Sequence, residues 1–169
     1  EATGAKVVAA LTIKPAALYP RIDQACWRPA DVGEWQHVVA RMVRRYSVDR
    51  PLVTHWEIGN EPDIGENGGS PYLITRPEDY AEYYTMTVRP ILETFPGAKV
   101  GGPAAANVHT PLLPGLIEHC GRTGTPLHFV SWHLYSGEPR QHAEQVRLVR
   151  SLVDDFPGGR PDLMVTEWN

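Results

Sequence analysis

Residues 55–63 read HWEIGNEPD, and the chain ends in Thr166-Glu167-Trp168-Asn169. Each stretch places a glutamate, Glu61 or Glu167, at the end of an apolar run. Two carboxyls brought together from separate strand ends push each other's pKa values apart, which leaves one proton donor and one base. Cleavage of a glycosidic bond requires such a pair. One carboxyl protonates the leaving oxygen, and the other attacks the sugar or activates water. Other polar side chains stand at strand ends too: Lys14, Asn60, His133 and Tyr135. Ser131, His133 and Tyr135 share strand parity and face one side, while Trp132 and Leu134 face the other. A His and a Tyr so placed either form a satisfied polar layer of the core or hold a carboxylate and bind a sugar hydroxyl. Trp56 and Trp168 have the shape of sugar-stacking platforms, although burial is the commoner fate of Trp. Glu57 is read as having the wrong parity for the mouth, at most a partner behind the site. His109, His119, Glu118 and the Arg41, Arg44 and Arg45 cluster read as solvated surface.

The elements that must position these groups alternate. Lys6–Ile13 is an apolar run suited to a strand covered on both faces. Asp31 and Glu34 resemble a capping box that opens a helix, with Val32, Trp35, Val38, Val39, Met42, Val43 and Tyr46 as its apolar stripe. Leu52–Ile58 is a strand. Thr75, with Glu78 three residues on, is the expected cap of a second helix, whose stripe runs through Tyr80, Tyr84, Val88, Ile91, Leu92 and Phe95. Pro90 predicts a kink or break there. Ala98–Gly102 is a strand, Leu112–Cys120 a helix, and Leu127–Tyr135 a strand. A helix follows through Val146, Val149, Leu152, Val153 and Phe156, and Leu163–Glu167 is the final strand. Glu66–Pro71 is a loop, and its place after a strand end puts it on the functional face.

About five strands separated by helices imply a parallel sheet with helical crossovers. An open doubly wound sheet and a closed eight-fold barrel compete. No GxGxxG or Walker loop follows any strand, so the nucleotide-binding sheets lose support. Polar residues collected at several strand ends favour the barrel, whose reactive groups come from those ends.

The length of 169 residues is that of one domain with a sizeable core. A net charge of −4 gives no basic surface for nucleic acid or an anionic membrane, and no apolar run is long enough to span a bilayer. Cys26 and Cys120 read as unrelated thiols, and the scattered His residues show no HExxH, so no metal or cofactor is expected.

With these residues in view, the chain resembles a known family. Trp56–Asp63 is similar to the acid/base motif on the fourth strand of retaining glycoside hydrolases of clan A, most closely family 39, the β-xylosidase and α-L-iduronidase family. Val100–Ala104 resembles that family's fifth strand, Ser131–Tyr135 its sixth, and Val165–Asn169 its nucleophile strand. The four segments occur in the family's order. The resemblance implies a retaining, β-xylosidase-like glycosidase, with Glu61 as general acid/base and Glu167 as nucleophile. Asn60 would bind the sugar's 2-hydroxyl, Tyr135 would orient Glu167, and His133 would contact sugar or nucleophile. Trp168 would join the substrate-binding set, and the partner would be a glycoside or oligosaccharide. A complete barrel is about 250 residues, so residues 1–169 are expected to form an incomplete catalytic domain, about strands three to seven of a (β/α)8 TIM barrel. The expected piece of a longer reading frame would be inactive alone. The alternatives are a non-catalytic carbohydrate-binding domain on the same scaffold, or an unrelated metal-dependent α/β hydrolase. The latter would need His and Asp ligands converging at the mouth, and the sequence offers no convincing set.

Overall fold

A computed structural model describes residues 4–169; the first three residues of the expected 1–169 domain lie outside the described residues. Helix α1, Val32–Val43, starts where its cap predicts: Asp31 Oδ1 accepts from the amides of Gly33 at 2.7 Å and Glu34 at 3.2 Å. It buries Trp35, Val39 and Val43. The expected stripe fails at Tyr46, which is exposed, because the backbone widens into a π-helical turn over Arg44–Asp49. Ser47 takes the inward position instead, donating to the Val53 carbonyl at 2.7 Å and accepting from Trp56 Nε1 at 3.1 Å.

Helix α2, Pro77–Thr94, is capped by Arg76 rather than by Thr75. Proline at the first helical position has its φ preset and loses no hydrogen bond there. Glu78 and Asp79 add favourable charge in the first turn. Pro90 does not break the helix, which continues to Thr94. Proline deprives the Met86 carbonyl of its usual amide partner, and Gln36 Nε2 of α1 supplies a replacement at 3.2 Å. Helix α3 spans Leu112–Thr123 and α4 spans Pro139–Val153, so Phe156 of the expected stripe lies beyond the helix end.

The strands are β1 (Val7–Leu11), β2 (Val53–Ile58), β3 (Lys99–Ala105), β4 (Phe129–Leu134) and β5 (Asp162–Trp168). They pair in parallel, in sequential order β1-β2-β3-β4-β5. Strand β3 runs farther than expected, through a cis Gly102–Pro103 bond. Gly101 is required where β3 meets β4, because a Cβ there would collide with the Phe129 carbonyl. The apolar core, including Leu11, Trp35, Ile58, Tyr80, Val100 and Leu116, lies between one sheet face and the helices. The other face forms an open trough of about 590 Å³, lined by Val8, Ala10, Glu57, Met164 and Thr166 among others. Strand β1 is therefore not covered on both faces: it is a sheet edge, and Val7 and Val8 are 46% and 37% exposed.

The sheet is strongly curled. Strands β2 and β5 stand three spacings apart in the ladder, about 14 Å along a flat sheet, yet Thr166 Oγ1 of β5 donates to Glu57 Oε1 of β2 at 2.9 Å. Doubly wound sheets reverse their strand order at a switch point, and this one does not. Sequential order, helical cover on one face and a curled trough on the other are those of a partial α/β barrel.

Candidate active site

The end of β2 is built by backbone that leaves the extended region. Gly59 has φ +106°, Glu61 has φ +44°, and Ala104, beyond the cis bond of β3, has φ +53°. The Glu61 amide donates to the Ala104 carbonyl at 2.8 Å, which locks this turn to β3. Non-glycine residues in the left-handed region are costly and persist where surrounding structure holds them. Asp63 adds a clamp: its two carboxylate oxygens accept from the amides of Ala106 at 2.9 Å and Asn107 at 3.0 Å. The Glu66–Pro71 stretch, expected as a loop, begins inside a 3₁₀ turn over Gly65–Gly68 and lies on this face. Gly68 packs so close that a Cβ would run into the Glu61 carboxylate, and its carbonyl accepts from Asn60 Nδ2 at 3.1 Å.

Glu61 is buried, and its Oε1 is hydrogen-bonded to His133 Nδ1 at 2.7 Å. The same nitrogen stands 3.5 Å from Glu167 Oε2. Strand parity alone would pair His133 with the strand beside it. Glu167 is its register partner on neighbouring β5, and the turn after β2 brings Glu61 to it across β3, with the shorter bond to Glu61. One donor atom from each of Glu61, His133 and Glu167 lies within 4.8 Å of the others. The fold thus gathers two carboxylates and an imidazole, a set with the chemical character of metal ligands, although no His and Asp set was visible in the sequence. In this arrangement the three side chains are engaged with one another. Glu167 also accepts from Tyr135 Oη at 2.5 Å, and that bond raises the Tyr135 pKa, so the phenol stays a donor. His133 is buried, and its Nε2 has no hydrogen-bond partner among the described residues. Asn60 and Trp168 both line the trough beside Glu167, and Trp168 is 66% exposed. Trp56 is buried, donating to Ser47 within the core.

Two expectations are corrected. Glu57 does not point away from the mouth: it is buried at the trough floor, bonded to Thr166. Glu57 lies within the regular part of β2, where alternation places it on the same face as Glu61, four residues on. Burial pushes the Glu57 carboxyl up, opposed by hydrogen bonds from Ser131 and Thr166 and by nearby His133, with Glu167 raising it further. His119 is not solvated surface either: it is half-buried and bonded to Thr85 Oγ1 at 2.9 Å. That pair sits in a larger cavity of about 670 Å³ outside the barrel, remote from the strand-end residues.

The family model described as glycosyl hydrolases family 39 matches residues 23–150. The chain belongs to this family. The match includes Asn60, Glu61, His133 and Tyr135, while Glu167 and Trp168 lie beyond it. Among family relatives, the chain is 24% identical over 163 residues to a β-xylosidase of Geobacillus stearothermophilus, covering 83% of this chain and 32% of the relative. It is 26% identical over 111 residues to a β-xylosidase of Caldicellulosiruptor saccharolyticus, covering 63% of this chain and 22% of the relative. Among solved structures, a glucosidase from Croceicoccus marinus superposes with a TM-score of 0.78 at 24% identity, over 98% of this chain and 34% of that one. A GH39 β-xylosidase from Caulobacter crescentus superposes with a TM-score of 0.73 at 26% identity, over 95% of this chain and 36% of that one. The chain therefore spans about a third or less of the curated relatives it matches, and within the family it carries a glycoside hydrolase lineage.

Proposed function

We propose that this chain supplies strands three to seven, and the reacting carboxylates, of a retaining β-xylosidase-like glycoside hydrolase of (β/α)8 form. The observation that carries the proposal is the approach of Glu61 and Glu167 oxygens to within 4.8 Å, with His133 against both. Carboxyls about 5–5.5 Å apart suit double displacement, whereas inversion needs about 6.5–9.5 Å to admit a water.

Glu167, held by Tyr135, attacks the anomeric carbon. The glycosidic C–O bond breaks, and the leaving oxygen takes a proton from Glu61. Glu61 then removes a proton from water, whose oxygen displaces Glu167 from the anomeric carbon and restores both carboxyls. Asn60, steadied by Gly68, binds the 2-hydroxyl, a contact that strengthens toward the transition state. Trp168 offers an exposed ring for stacking against sugar.

In the full-length protein that carries these residues, Glu167→Ala should abolish turnover of an aryl β-xyloside. Substantial residual turnover would sink the assignment. Saturable xyloside binding with no hydrolysis by the unmutated protein would favour a carbohydrate-binding scaffold instead.

A further inference from the structure

Beneath the paired carboxylates runs a connected path of polar groups. It begins at the Glu61 amide, which donates to the Ala104 carbonyl at 2.8 Å. The Ala104 amide donates to Ser131 Oγ at 3.0 Å. The Ser131 hydroxyl lies close enough to the Glu57 carboxyl to draw its pKa down. Thr166 Oγ1 donates to Glu57 Oε1 at 2.9 Å, and Thr166 immediately precedes Glu167. The path ties β2, β3, β4 and β5 together, and Glu57, buried with 4% exposure, is the junction that crosses from β2 to β5. A buried carboxyl is expensive unless hydrogen-bonded, so an apolar residue here would be the simpler choice for packing alone. What the carboxyl adds is an acceptor that fixes β5 against β2 across the curl.

We infer that Glu57 is a positioning residue, whose bond to Thr166 sets the separation of the Glu61 and Glu167 carboxylates. The inference rests on the roles proposed above for those two residues. It assigns Glu57 no contact with substrate. Its part is to hold the nucleophile's strand end at the distance that double displacement requires, because a misplacement of about 1 Å can cost about 100-fold in rate.

The test compares Glu57→Gln, Glu57→Met and Thr166→Val in the full-length protein on an aryl β-xyloside, with Glu167→Ala alongside. Glu57→Gln keeps an acceptor for Thr166 and should hold kcat within about fivefold. Glu57→Met fills the space without an acceptor and should lower kcat about 10- to 100-fold, with KM within about twofold. Thr166→Val removes the donor from the other side, should match Glu57→Met, and should add nothing to it in the double variant. If Glu57→Met does not fold, Thr166→Val alone decides. Crystal structures give a readout independent of turnover: the Glu61–Glu167 oxygen separation should widen in Thr166→Val and stay unchanged in Glu57→Gln. Wild-type kcat in Thr166→Val, or an unchanged separation, overturns the inference. So does a Glu57→Gln variant as slow as Glu57→Met. Turnover by Glu167→Ala would instead overturn the functional proposal beneath it, so the two failures are told apart.

Discussion

Glu57 and Tyr135 give the residue-scale account its sharpest consequences. The folded Glu57 carboxyl has a raised pKa because burial disfavours its ionised form. The folded state therefore binds this proton more readily than the unfolded chain. Its contribution to stability is fully present below the unfolded value, about 4.3, and is lost as pH rises through the raised folded value. Glu57→Gln, neutral at every pH, should gain in melting temperature over wild type as pH rises from 4 to 7, read by thermal melts across that range; a gain largest at acid pH would refute the cause. Tyr135→Phe removes the hydroxyl bonded to Glu167. The nucleophile then loses its orienting donor, so kcat on an aryl xyloside should fall about tenfold. Equal rates for the two proteins would mean that the phenol does not orient the nucleophile. Glu61 alone would read as an ordinary exposed carboxylate; the Asn60-Glu61-Pro62 context and a second glutamate at the end of another strand are what pointed to it. Glu57 was legible by the same alternation, since it stands four residues before Glu61 and so shares its face; the expectation that set it aside runs against that period of two.

At the scale of elements, most helices and strands were legible from apolar spacing and capping residues, with errors where local backbone departs from regularity. The π-turn at Arg44–Asp49 exchanges Tyr46 for Ser47 at the buried position, and no single residue there announces the wider turn. Pro90 predicted a kink or a break; the helix continues to Thr94, and the sequence does not show that a residue on another helix will satisfy the freed carbonyl. Gln36 does so, linking α1 to α2. Gln36→Leu should leave the Met86 carbonyl without that partner and cost about 1–3 kcal/mol, measurable by denaturant titration. A change under about 0.3 kcal/mol would show that water serves equally well. Gly68→Ala tests the loop against the site. Any Cβ there collides with Glu61, so turnover should drop by an order of magnitude or more (about 1.4 kcal/mol per tenfold), with little change in the melting temperature because the displaced groups lie at the mouth.

For the whole molecule, how tightly the sheet curls is what the sequence left least visible. Polar residues at several strand ends favoured a barrel over an open sheet, but the approach of Glu61 to Glu167 depends on β2 and β5, three spacings apart, folding toward one another. Spacing cannot measure that approach; the Thr166–Glu57 hydrogen bond across the trough shows it. The trough is open along β1 and β5, where Val7, Val8 and Trp168 are exposed, whereas closed barrels bury both sheet edges. Residues 1–169 alone should accordingly show no measurable turnover of an aryl glycoside. Efficient hydrolysis by the isolated 169 residues would contradict the assignment of the trough to part of a larger barrel.

The central claim is that Glu167 becomes covalently bound to the sugar. Incubating the full-length protein with an activated 2-deoxy-2-fluoro-xyloside, whose glycosyl intermediate breaks down slowly, and mapping the labelled peptide by mass spectrometry tests it most directly. The account predicts one fluorosugar per molecule, attached to Glu167 and absent in Glu167→Ala. A label on another residue, or rapid turnover of the unmodified aryl xyloside with no labelled species, would contradict it.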